Sequence, residues 1–115
     1  MSTRRKPARK IAIRAVVFPE GDWLCVQCLE DNLATQARSL TALYAGLHWL
    51  ILGHIAVRLR HNQRPFEGLP PAPGKYWELF ERSKIPLSAP VRFTPVRSNG
   101  VVVPPPEVRV AQPAA

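Results

Sequence analysis

The sequence predicts an α+β domain: a small antiparallel sheet packed on one long helix, followed by a short second helix and a proline-rich tail. Three observations carry that expectation. Ser39 to Arg60 is a long, nearly uncharged stretch with helical periodicity. Ahead of it, two strand-like runs are joined by Pro19-Glu20-Gly21, a turn sequence. Beyond it, Lys75 to Lys84 reads as a second, shorter helix.

The long helix organises the rest. Leu40, Leu43, Tyr44, Leu47, Leu50, Ile51 and Ile55 recur mostly at spacings of three and four, which gathers them on one side. Ser39 is placed to act as N-cap, its hydroxyl accepting from a free amide of the first turn. The other side carries a second apolar stripe, Ala45, Trp49, Leu52, Ala56 and Leu59, and no acid occurs between Leu33 and Phe66. A helix apolar nearly all round is covered on both sides, here by its own sheet and by something else, with a second copy the expected occupant. The competing reading is a membrane span. Leu40 to Val57 holds no formal charge, but it includes His48 and His54 and falls short of the roughly 20 apolar residues a span needs.

Lys10 to Phe18 alternates as a strand, with Ile11, Ile13, Ala15 and Val17 on one face and Ala12, Arg14, Val16 and Phe18 on the other. Asp22 to Glu30 returns antiparallel, and Leu33 to Ala37 supplies a short third strand before the helix. After Arg60 the chain turns polar and stops being helical by Pro65; residues 68–74 form a stiff, proline-rich connection. In the second helix Tyr76, Leu79 and Phe80 point inward and Trp77 lies off that face. Val91 to Val96 has strand composition, with Pro95 arguing for an edge. Asn99-Gly100 is a hairpin signal before Val101 to Val103, and the prolines at 104 to 106 end that strand. Val108 to Val110 reads as a loose tail or an arm that adds to another subunit's sheet. The expected organisation is a basic arm over 1–9, an α+β domain over 10–97 and a C-terminal tail or arm over 98–115.

At 115 residues the chain is one small domain. The net charge of +8 is concentrated: six of the 16 basic residues precede Ala15, ahead of any acid. Arg4, Arg5, Lys6, Arg9 and Lys10 are therefore the candidate phosphate contacts of a basic arm. Two cysteines are too few for a disulfide scaffold, and no apolar leader with a small-residue cleavage site is visible, so a cytoplasmic protein is expected.

The chemistry-bearing residues do not assemble into a catalytic or metal-binding pattern. Cys25 and Cys28 have the C-x-x-C spacing, but on an extended strand they point to opposite faces, whereas a redox pair places its first thiol at a helix N-terminus. His48 and His54 are six residues apart on the helix and face different directions. His61 lies near the helix end, where positive charge is favourable. Glu20, Asp22, Glu30 and Asp31 belong to opposite ends of one hairpin, unlike carboxylates that converge on two metals. The expectation is a protein that is not an enzyme and carries no cofactor or metal. Trp23, Trp49, Leu52 and Trp77 are its candidate partner or oligomer contacts, since aromatic residues often anchor interfaces.

One resemblance sharpens this. A strand ending Val16-Val17-Phe18-Pro19-Glu20-Gly21-Asp22, a return strand Trp23 to Glu30, the short Ala34-Thr35-Gln36-Ala37 segment and a helix opening Ser39-Leu40 resemble the HicB-like antitoxin domain over about residues 11–55. The resemblance implies a β-β-β-α-β, partial RNase H-like fold without nuclease carboxylates, self-association, and binding to a small RNA-cleaving toxin whose catalytic surface it covers. It also implies that the sheet around Trp23 to Glu30 helps form the partner surface. The proline-rich stretch after Ile85 does not read as the C-terminal DNA-binding domain of many such antitoxins. The net positive charge of the chain opposes a basic toxin, and only a local acidic patch drawn from Glu20, Asp22, Glu30 and Asp31 would offset that. The alternatives are a small accessory or structural subunit of a larger assembly, and RNA or DNA binding through the basic arm.

Overall fold

The computed structural model describes residues 9–66, 68–87, 96–98 and 101–112. Its elements are β1 (Arg9–Lys10), β2 (Arg14–Glu20), β3 (Trp23–Cys28), β4 (Ala34–Ala37), α1 (Leu40–Arg60), α2 (Gly74–Arg82), β5 (Ile85–Pro86), β6 (Val96–Ser98), β7 (Val101–Val103) and β8 (Glu107–Val110). The architecture is α+β, with a five-stranded mixed sheet ordered β4-β3-β2-β8-β5.

The hairpin forms as expected, but its turn is one step later. Pro19 pairs with Leu24 and Glu20 with Trp23, leaving Gly21 and Asp22 as the two-residue loop. Gly21 has φ +60, and glycine is favoured there because a Cβ would be strained. Pro19 is tolerated inside β2 because β8, the neighbour on the other side, pairs only as far as Val17. The first strand is also shorter than expected. Arg9–Lys10 pairs with β7, and only from Arg14 does the chain join the main sheet.

Strand alternation then builds two faces. Ile13, Ala15, Val17, Val26, Cys28 and Val108 pack with Leu43, Tyr44, Leu47, Ile51 and Ile55 of α1. On the opposite face Val16 and Leu29 pack with Ala72 and with Phe80 of α2. The sheet is thus a middle layer between two helices. α1 begins at its expected cap, with Ser39 Oγ accepting from the Ala42 N–H at 3.2 Å, and ends at His61. Leu40 and Leu50, expected inward, are exposed and half-buried respectively. α2 runs Gly74–Arg82, two residues short of the expected end at Lys84.

The main departure lies at the C-terminus. Glu107–Val110, expected as a tail or an arm for another subunit, pairs in parallel with β2 of its own chain, and β5 pairs antiparallel on its far side. The sheet is therefore mixed rather than antiparallel, and a division that begins a tail at residue 98 would cut through it. β6 and β7 form an antiparallel pair flanking Asn99-Gly100, which themselves lie outside the described residues. Most of Val91 to Val96 and the arm over 1–8, including Arg4, Arg5 and Lys6, also lie outside them.

Candidate protein-interaction surface

Burying Leu43, Tyr44, Leu47, Ile51 and Ile55 against the sheet turns the second stripe of α1 outward except at Leu59, which packs on that same core. Trp49, at 73% exposure, stands at its centre; Val57 and Ala56 are exposed, and Ala45 and Leu52 are partly exposed. Gly53, one turn from Trp49, has nothing within 4 Å of where a Cβ would lie. The stripe thus alternates one large ring with small residues and carries no charge before Arg60. By length and composition α1 could cross a bilayer, with a mean hydropathy of 1.5, but one long side of it is core.

A second surface occupies the opposite sheet face beyond α2. An open groove of about 300 Å³ is lined by Phe18, Glu20, Cys25, Gln27, Gln36 and Tyr76, among others. The floor is held in place: Gln27 Nε2 donates to Asn32 Oδ1 at 2.9 Å and to the Cys28 carbonyl at 3.0 Å. The Cys25 thiol lies 3.7 Å from Glu20 and 4.0 Å from Gln36. Its pKa is raised, first by the neighbours that cover it and then by the Glu20 charge. Alternation places Trp23 and Arg38 on this same face, and the Arg38 guanidinium lies 4.7 Å from the Trp23 ring centre. The groove therefore offers acceptors, with an aromatic–arginine pair at its hairpin end.

The four candidate contacts do not form one surface. Trp49 and Leu52 share the α1 stripe, whereas Trp23, at 38% exposure, lies at the end of the groove face. Trp77 is half-buried inside the chain, donating from Nε1 to the Ala72 carbonyl at 3.1 Å beneath Arg14, whose guanidinium is 4.7 Å from its ring centre. Arg14 also makes a 2.6 Å ion pair with Glu30. Sequence reasoning missed Arg109. From β8 it lies 4.2 Å over the Phe80 ring and donates to the carbonyls of Phe80 and Ser83. Alternation of Arg109 with Val108 and Val110 was the available signal, and it marked a strand with one polar face.

The expected acidic patch does not assemble. Glu20 and Asp22 sit at the turn, Glu30 is paired with Arg14, and Asp31 is buried at 2% exposure near the other end of the hairpin. Cys25 and Cys28 do face opposite sides, with Cys28 in the α1-side core, where burial and then Asp31 push its thiol upward. Among the described residues no group of three His, Cys, Asp or Glu could hold a metal ion. His54 accepts from the Phe66 N–H at 3.2 Å; burial and then Arg58 lower its pKa. Arg9 and Lys10 are strand residues of β1 rather than parts of a free arm.

Asp31 gives a pH-dependent prediction. No hydrogen-bond partner meets either carboxylate oxygen, although the N–H groups of Asp31 and Leu33 lie near enough to favour ionisation somewhat. Burial outweighs them and raises the pKa from 3.8 to about 6. The folded state therefore binds the proton more tightly than the unfolded one. Stability from this group is greatest below the unfolded value and falls as pH rises through about 6. Asp31→Asn, which carries no charge to desolvate, is expected to stabilise the protein at pH 8 by roughly 1–3 kcal/mol, the free-energy equivalent of that upward displacement. The gain should vanish near pH 3.5. Urea titrations of both proteins across that range measure it; an equal midpoint difference at every pH would exclude the carboxylate as the cause.

Comparisons with protein-family models, with curated proteins and with solved structures find no match for this chain.

Proposed function

We propose that the chain is a non-enzymatic protein-binding module that resembles a HicB-like antitoxin, self-associates, and neutralises a small RNA-cleaving toxin in the cytoplasm. The observation that carries the protein-binding reading is the outward stripe of α1. A soluble monomer seldom leaves a tryptophan 73% exposed at the centre of an apolar helix face, and such faces mark association sites. Support for the resemblance comes from chain order: three antiparallel strands, a long helix, and a later strand laid beside the first. The groove face, with Trp23, Gln36 and Glu20, is the surface assigned to the toxin. Its acceptors, the Glu20 carboxylate and the Gln36 amide among them, can take hydrogen bonds from a donor-rich partner.

The test is recovery of the tagged protein from its native cells at moderate salt, with nuclease, followed by mass spectrometry. A small basic protein retained near one-to-one is expected, and Trp23→Ala combined with Gln36→Arg should release it. Recovery of nucleic acid alone, lost as salt rises, would transfer the function to the basic arm. Recovery of many large-complex subunits would make the chain an accessory component.

A further inference from the structure

We propose that α1 pairs antiparallel with α1 of a second copy about a two-fold axis close to Ile51, each Trp49 seating over Gly53 of the other copy. The inference rests on the protein-binding reading above and assigns the occupant of its apolar stripe.

The geometry follows from spacing. Trp49 and Gly53 are four residues apart, so they lie on one face, separated by a single turn. A two-fold axis midway between them sets each ring against the other copy's glycine, a self-complementary contact that closes as a dimer. The same register sets Ala45 within one residue step of Ala56 on the same edge of the stripe, two small side chains that let the helices approach to the lower end of the usual 8–10 Å. It also places Ala42 opposite Arg60, where the long side chain can reach solvent. The open space around Gly53 is what the ring would fill.

The area is sufficient for modest affinity. From Ala42 to Arg60 the stripe is about 27 Å long. Two tryptophans supply about 300 Å² of burial. With Leu52, Val57 and the alanines the total reaches the order of 1,000 Å², the lower bound for a specific interface. A dissociation constant on the order of micromolar is expected. A lipid surface fits less well. An interfacial helix carries cationic residues along its length, and α1 has none between Arg38 and Arg58. Small residues, moreover, serve close helix approach rather than lipid contact. Each copy carries a net charge of +8, so the dimer should tighten as salt screens the repulsion.

Sedimentation of the full chain over a concentration series tests this, together with two variants and a cross-link. The wild type should pass from monomer to dimer. Trp49→Ala should weaken that step at least tenfold, and Gly53→Leu should do the same while keeping the helical circular dichroism, since its side chain enters open space. Ala45→Cys with Ala56→Cys in one chain should give an oxidised dimer, whereas Ala45→Cys alone should not, because those positions lie far apart across the axis. A wild type that stays monomeric, or a dimer indifferent to both variants, overturns the pairing. If Trp49→Ala then still releases a protein partner recovered from cells, the protein-binding reading survives that failure. Trp49-dependent flotation of a monomeric wild type with phosphatidylglycerol vesicles overturns both.

Discussion

Removing residues 105–115 is expected to unfold the domain, because the segment that reads as a tail supplies an interior strand. β8 lies between β2 and β5, so its loss strips both neighbours. The Glu107 N–H donates to the Ile13 carbonyl, the Ala111 N–H to the Val17 carbonyl, and the Leu87 N–H to the Val108 carbonyl. Those join the ladder that pairs Arg14 to Val17 with Glu107 to Val110. Each buried backbone bond contributes about 1 kcal/mol net. Burial of the Val108 side chain in the α1-side core adds about 2 kcal/mol. Loss of Arg109 also frees the C-terminal end of α2. The sum exceeds about 5 kcal/mol, comparable to the whole stability of a small domain. Circular dichroism and urea unfolding of the truncated chain decide it. A cooperative transition at the wild-type midpoint would show that β8 is dispensable. The point substitution Val108→Asp, which buries a charge at the same place, should unfold the protein as well.

Why the strand was illegible in sequence is physical. Val108-Arg109-Val110 alternates as a strand does, but it is short, follows three prolines and carries no turn signal, so alternation alone does not tell a strand of this sheet from an arm for another subunit. Its pairing with β2 joins residues more than ninety positions apart, and long-range parallel partners leave no periodicity to read. Local chemistry was legible where it is strong. Ser39 caps α1, alternation sends Cys25 and Cys28 to opposite faces, and Gly21 takes the positive φ of the hairpin loop. The apolar stripe around Trp49 was readable from helical spacing alone. The role of Trp77 was not, because its partners, Ala72 and Arg14, come from a loop and from another strand. The groove joins Phe18 and Tyr76 from opposite halves of the chain, with ring centres 5.6 Å apart, and likewise became visible only in the fold.

Phe80→Ala should cost about 3–5 kcal/mol, and the loss should first appear in α2 alone. Phe80 is buried under Val16 and Leu29, with the guanidiniums of Arg14 and Arg109 flanking its ring. Cation–π attraction from the pair is worth about 1–2 kcal/mol, so the cavity and transfer terms dominate. α2 has nine residues, too few for a helix to persist without tertiary contacts. Once its one fully buried side chain is truncated, α2 is held by the half-buried Tyr76, Trp77 and Leu79 and by the Arg109 and Trp77 hydrogen bonds. The α1-side core lies across the sheet and shares no buried residue with this cluster, so it need not melt at the same time. Trp77 reports the difference, because Trp23 and Trp49 are already exposed in the native state. In the variant, tryptophan fluorescence should shift to the red at a lower urea concentration than the helical signal of α1 is lost. Coincident transitions would mean instead that the two layers unfold as one, and that α2 is as much part of the cooperative core as Ile51.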